Sequence, residues 1–222
     1  MLVLRTVSAR AEGYYYQGVA VLRELRIIEN RLVPVEEARQ PGTPPVGQVL
    51  VYVCPNEEES KYLLDELKLD EHTLSSALDP DELARVEQEP EYMALIFKRP
   101  KSHSASDKFL FKVSSIGAFL FKDKLVVLLG EDLPLFNGKL YARVYSLQDL
   151  VLKMIYRSIQ HFTEHLKVIN MISSDLEQQI ITAMENKHLI NMFNLEQILV
   201  YYLSEIQGNG AVIERLRMNA MN

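Results

Sequence analysis

The chain has 222 residues, 48% hydrophobic and 24% charged, a globular rather than disordered composition that suits one large domain or two small ones. Its formal charge of −6 argues against nucleic acid as a partner, because phosphate binding needs a basic face. The single cysteine, Cys54, excludes an internal disulfide and points to a reducing compartment; within VLVYVC it reads as a small core residue.

No A-x-A-like site follows the short apolar start, so no secretory signal is expected. A membrane span needs roughly 18 nearly uninterrupted apolar residues, and the best candidate, IGAFLFKDKLVVLLG, is split by Lys122, Asp123 and Lys124. The residues as written predict a soluble molecule.

Breakers divide the sequence. All nine prolines lie at or before Pro134, and neither glycine nor proline occurs between Gly138 and Gly208. Glycine and proline punctuate strands and loops and are costly inside helices. Residues 1–145 therefore read as an α/β domain and 146–222 as a helical region.

In chain order, GYYYQGVAVL and ELRIIENRLVPV read as strands, with a turn at Glu29-Asn30. ARQPGTPPVG is a loop, and QVLVYVCP is a buried strand ended by proline. NEEESKYLLDELKL is a helix capped by Asn56, with three glutamates in its first turns where the helix dipole favours them. HTLSSALD is a second short helix with Thr73 as its cap. DPDELARVEQ reads as a third, with Asp79 as N-cap, Pro80 at the first helical position and Glu82 three residues after the cap. EYMALIFKRP is a strand, SHSASD a polar loop, and KFLFKVSSIGAFLFKDKLVVLLGE a set of strands, the last two joined by a tight turn at Lys122–Lys124.

From Leu147 to Met184 apolar residues recur every three or four positions, which predicts one helix of about 40 residues, roughly 60 Å long. HLINMFNLEQILVYYLSEIQ is a second long helix. GNG (Gly208–Gly210) is expected to break it, and AVIERLRM to begin a third helix that the chain end cuts short.

Two patterns suggest chemistry. Residues 57–91 hold thirteen acidic side chains against Lys61, Lys68 and Arg85. Such clustering suits a solvated face with helix caps, or weak binding of a hard dication, since Mg2+ is often held by one or two carboxylates with its waters retained. HFTEH places His161, Glu164 and His165 on one helix in the H-x-x-E-H order of inverted zincins, which suits two zinc ligands and a general base; no third ligand is marked. Tyr14–Tyr16 and Tyr201-Tyr202 lack basic surroundings, so they read as packing aromatics rather than stacking platforms.

The order of the segments carries a resemblance. YLLDELKLDEHTLSSALDPDELARVEQEPEYMALIFKRP resembles the N-terminal domain of CorA-type divalent metal ion transporters, and IGAFLFKDKLVVLLGE resembles its following strand pair. SLQDLVLKMIYRSIQHFTEHLKVINMISSDLEQQI resembles the family's long helix, and ENKHLINMFNLEQILVYYLSEIQGNGAVIERLR its next helix and the start of its stalk. The likeness covers about Val49 to Arg217. It implies an α/β/α body with a mixed sheet, followed by helices that lead to a pore. It further implies the cytoplasmic regulatory part of a homopentameric channel-like transporter of the cell inner membrane, for Mg2+ or in relatives Co2+, Ni2+ or Zn2+. Mg2+ would then be cargo and regulator, metal between cytoplasmic domains holding the closed state. The chain stops before both membrane spans of that family, so its contact with the membrane would run through helices beyond Asn222, and the isolated chain is expected to assemble more weakly than a pentamer.

The family's Glu-Asp pair on the short helix falls on Ser75-Ser76. Asp79, Asp81 and Glu82 are therefore the candidate regulatory metal ligands, and Mg2+ is expected to stabilise the chain weakly or not at all. Two other readings stand beside this one: a zinc hydrolase built on His161, Glu164 and His165, and a soluble scaffold of the same fold that senses no metal.

Overall fold

A computed structural model describes residues 5–6, 10–11, 14–15, 19–35, 48–101, 111–183 and 186–221. Among the described residues ten strands precede the long helices: β1 (Arg5–Thr6), β2 (Arg10–Ala11), β3 (Tyr14–Tyr15), β4 (Val19–Ile28), β5 (Arg31–Pro34), β6 (Val49–Val53), β7 (Arg85–Gln88), β8 (Tyr92–Pro100), β9 (Val113–Phe121) and β10 (Leu125–Leu129). Helices α1 (Glu57–Asp65) and α2 (Glu71–Leu78) lie between β6 and β7, and α3 (Leu147–Ala183) and α4 (Asn186–Met221) end the fold. Strands β2 and β3 pair only with each other; the main sheet runs β1-β4-β6-β10-β9-β8-β7, with β5 paired to β4. The β6–β10 pair is parallel and the other pairs are antiparallel. The expected mixed-sheet α/β fold with long C-terminal helices is present.

Alternation along the central strands builds two cores. Val49, Val51, Leu95, Phe97, Leu125 and Val127 face α3 and α4, while Leu50, Tyr52, Ala94, Ile96, Val126 and Leu128 face α1 and α2. Burial on both faces explains why these strands read as continuous apolar runs. The first third of α3 lies on the sheet through Leu150, Val151, Met154 and Ile155. Farther along, Phe162, Ile169 and Leu176 meet Leu195 and Tyr202 of α4, and α4 returns to the sheet at Val212. The first core thus crosses the expected boundary at residues 145 and 146.

Local expectations hold where short-range chemistry decides. Asn56 and Glu59 form a reciprocal capping box on α1. Glu29 and Asn30 both take positive φ, 48° and 60°, as a two-residue hairpin turn requires, and join β4 to β5. Phe121 N–H donates to Lys124 O at 2.9 Å across the β9–β10 turn. ARQPGTPPVG, SHSASD and Tyr16 lie outside the described residues.

Four local readings are corrected. VAVL and ELRII are one strand, β4. The cap of α2 is Asp70 rather than Thr73, because the Asp70 carboxylate accepts the Thr73 N–H at 2.8 Å. DPDELARVEQ is no helix: Asp79 Oδ1 accepts the Asp81 N–H two residues on, at 2.9 Å, making an Asx turn, and Arg85–Gln88 then joins the sheet against Met93–Ile96. The edge of β8 needs backbone partners, and tertiary pairing outweighs the weak helix preference of this stretch. Finally, GNG does not break α4, which runs unbroken through Gly208, Asn209 and Gly210.

The reason for GNG lies in the sheet. Strand β7 reaches only Ile96 of β8, which leaves the main chain of Lys98 facing an unpaired edge. The buried amide of Asn209 closes it: Oδ1 accepts the Lys98 N–H at 2.7 Å and Nδ2 donates to the Lys98 carbonyl at 2.7 Å. The same carbonyl accepts from the buried Ser158 hydroxyl of α3. A Cβ on Gly208 would sit 3.2 Å from Ala84 Cβ, so glycine lets the helix come close enough for Asn209 to reach. Asn209→Ala is expected to cost about 1–3 kcal/mol in urea denaturation, since the buried Lys98 N–H loses its acceptor while the Lys98 carbonyl keeps only the Ser158 hydroxyl. Gly210→Ala, whose added Cβ meets nothing within 4 Å, should instead stabilise by about 0.5–1 kcal/mol as helix propensity dictates; a loss there would mean that α4 is broken.

Candidate functional site

Every carboxylate proposed as a metal ligand lies in the turn between α2 and β7. Asp79 caps the C-terminus of α2, and its side chain is turned back onto the Asp81 N–H. Glu82 accepts from Arg85 Nη1 at 3.1 Å, while Arg85 Nε reaches Glu87 at 2.6 Å. Ser76, one of the two serines aligned with the family's acidic pair, is buried and its hydroxyl lies 3.4 Å from Glu82; Ser75 is exposed. The turn brings Asp79, Asp81 and Glu82 close in sequence, yet among the described residues no group of three metal-ligating side chains converges.

A cation from the protein itself reaches this turn. Lys98 on β8 is fully buried. Its Nζ donates to Pro80 O at 2.7 Å, to Ser115 Oγ at 2.7 Å and to Asp79 O at 3.4 Å. Ser115 Oγ in turn donates to Asp79 O at 2.5 Å. Burial pulls the Lys98 pKa down, and the carboxylates of Glu205, Asp79, Asp81 and Glu82 act against that pull. Glu205 projects from α4 into the same region: burial holds its carboxyl above the usual range, Lys98 opposes the shift and Asp81 adds to it. Tyr201 beside it is pushed up to about 12, by burial first and then by Glu205 and Asp81.

The next residue of β8 points to the opposite face, as strand alternation requires. Arg99, also buried, donates through Nε to His161 Nδ1 at 3.4 Å and through Nη1 to Pro134 O at 3.4 Å. His161 packs edge-on against His165, ring centroids 4.7 Å apart. The buried His165 places Nδ1 2.9 Å from the hydroxyl of Tyr202, itself enclosed by Phe111 and Phe162. Glu164 turns outward to Arg157 at 3.1 Å. The H-x-x-E-H residues are thus shared out between an arginine, a tyrosine and a surface ion pair. A guanidinium against His161 repels a dication, and no third ligand joins the two histidines among the described residues. Tyr202 packs as expected for the aromatic pair of α4.

Cys54 is half-buried beside the first core, and its Sγ donates to Gly130 O at 3.0 Å. Burial pushes its thiol pKa up, with Glu131 and Asp132 adding to the effect, so the thiol is an inert packing group.

Sequence reasoning missed Lys98, Arg99, Ser158, Glu205 and Asn209. The available signals were a Lys-Arg pair closing an otherwise apolar strand and an asparagine between two glycines inside a helical run.

Burial, Arg99 and His165 together lower the His161 pKa from the ordinary 6.5 to about 4. Between these values the unfolded chain binds a proton that the folded chain refuses. His161 therefore contributes stability that is complete above pH 6.5 and is lost as pH falls toward 4. An NMR titration should find the His161 ring neutral at pH 5, and Arg99→Met should raise its midpoint.

Comparison with known proteins adds to this geometry. A family model described as CorA-like Mg2+ transporter protein matches residues 50–222. The fold is similar to the soluble domain of CorA from Methanocaldococcus jannaschii, at 16% identity and TM-score 0.64, over 85% of this chain and 75% of that one. It is equally similar to the complete CorA magnesium transporter of the same organism, at 16% identity and TM-score 0.64, over 86% of this chain and 60% of that one. The ZntB cytoplasmic domain from Vibrio parahaemolyticus matches at 11% identity and TM-score 0.61, over 90% of this chain and 80% of that one. A search of curated protein sequences finds no match. The chain spans 60% of the complete transporter's length, and among the described residues no helix is long and apolar enough to cross a membrane.

Proposed function

Because the chain belongs to the CorA-like Mg2+ transporter family, we propose that it is the cytoplasmic regulatory domain of a divalent-cation channel or transporter of the cell inner membrane. The cargo is Mg2+ or a related dication such as Co2+, Ni2+ or Zn2+, and the working assembly is a homopentamer. The family is one of transporters rather than enzymes, so the domain governs passage of the ion and performs no bond chemistry of its own.

The observation that carries this reading is the unbroken α4, clamped to the sheet in mid-length by Asn209. A helix held this way moves with the α/β body, so a displacement of one body against another is carried along its axis. Intracellular metal regulates by population shift: a dication that bridges neighbouring bodies only in the closed arrangement favours that arrangement by its difference in affinity. The pore helices follow α4.

Reading the gene past the codon for Asn222 tests the proposal first. Two apolar stretches of about 20 residues each are expected, and a stop codon directly after Asn222 overturns it. Cells expressing the full gene should then accumulate Mg2+, Co2+, Ni2+ or Zn2+ above control cells; uptake of none of them sinks the transport reading.

A further inference from the structure

Metal regulation of the kind just proposed needs carboxylates whose charge is free to meet a dication. The acidic turn 79–82 lies between α2 and β7, and a cation already reaches it from inside. Lys98 extends its ammonium onto the carbonyls of Asp79 and Pro80 and onto the Ser115 hydroxyl. These acceptors form a cup of hard oxygens of the kind that suits a small cation. A buried ammonium costs several kcal/mol unless acceptors and opposite charge surround it; here the three oxygens hold it and the carboxylates of Asp79, Asp81, Glu82 and Glu205 lie within electrostatic reach.

The same residue has its main chain fastened to α4 through Asn209 and to α3 through Ser158. One lysine therefore joins the acidic turn, the sheet and both long helices. A hydrated Mg2+ at that cup would have to displace Nζ from a site with no solvent exposure.

We propose that Lys98 is the built-in cation of the acidic 79–82 turn, so that this turn binds no divalent metal and holds its place against β8 and β9 without one. Asp79, Asp81 and Glu82 then serve as counter-charges to Lys98, and a metal that regulates the transporter binds elsewhere. This refines the reading as a cation-regulated domain and rests on it for its significance, but its test is made on the 222-residue chain and does not involve transport. Failure here leaves the uptake experiment untouched.

Thermal melts are compared for the wild-type chain, Lys98→Ala and Lys98→Met, in 10 mM MgCl2 and in NaCl of equal ionic strength. The wild-type midpoint should be the same in both. Lys98→Ala removes the ammonium and leaves room among the oxygens; its midpoint should fall in NaCl and recover in MgCl2 by on the order of 3–6 °C, as expected for ligand near ten times its Kd. Lys98→Met fills the space without charge, so it should be destabilised and show no recovery. A Mg2+-specific rise in the wild-type chain overturns the proposal, as does a Lys98→Ala chain that folds but ignores Mg2+. Should neither variant fold, the wild-type chain labelled with 15N at the lysine Nζ decides. A slowly exchanging buried ammonium signal that 10 mM Mg2+ leaves unmoved supports the proposal, and its absence or displacement by Mg2+ refutes it.

Discussion

The main chain of Lys98 is where the sheet runs out of strands, and the way that edge is closed organises the helical half of the molecule. Strand β7 pairs with β8 only as far as Ile96, and a buried N–H and carbonyl left without partners would cost about as much as a lost hydrogen bond each. The amide of Asn209 supplies both a donor and an acceptor in the spacing a neighbouring strand would offer. A helix therefore acts as the next strand at one residue. For this to happen its backbone must approach the sheet closely, which is why Gly208 stands beside Ala84. The glycines lower helix propensity by about 1 kcal/mol each, and the paired amide offsets that loss.

Alternation along β8 then decides which chemistry lies on which face. Ile96 and Lys98 point toward α1 and α2, whereas Phe97 and Arg99 point toward α3 and α4. Two buried cations on successive residues are thus kept on opposite sides of the sheet, where their mutual repulsion is weakened by distance. Each meets a different environment. Lys98 finds carbonyls and carboxylates at the end of α2, and Arg99 finds a neutral histidine and a carbonyl. The low pKa of His161 comes first from burial and then from that meeting, since a protonated ring would place a second cation against the guanidinium.

What the sequence disclosed and what it hid divide along range of interaction. The Asn56 capping box, the Glu29-Asn30 turn and the Lys122–Lys124 turn are settled within a few residues, and they stand as read. The apolar runs of β6 and β10 and the 3–4 periodicity of α3 gave the right elements because burial is periodic. Errors arose where a distant partner outvoted a local signal. Asp79, Pro80 and Glu82 have the spacing of a helix start, but β8 offered an edge to Arg85–Gln88 and took it. The GNG segment has the composition of a turn, but its partner lies 111 positions away in the chain.

The same division bears on how the acidic segment is read as a functional signal. A count of carboxylates between residues 57 and 91 suggests an appetite for metal, yet charge in a folded protein is read by what faces it. Glu82 faces Arg85, Asp79 faces its own turn, and the cup of oxygens around Pro80 faces Lys98. Lys98 is invisible in such a count because it lies outside the segment, at the end of a strand whose other residues are apolar. The family likeness supplied a reason to look for a dication at this turn, and the serines at positions 75 and 76 supplied a reason to doubt one. The proposed role of Lys98 reconciles the two: its ammonium ties the end of α2 to β8 and β9, and under that proposal the cation at the turn is carried by the chain itself, where no change in metal concentration removes it.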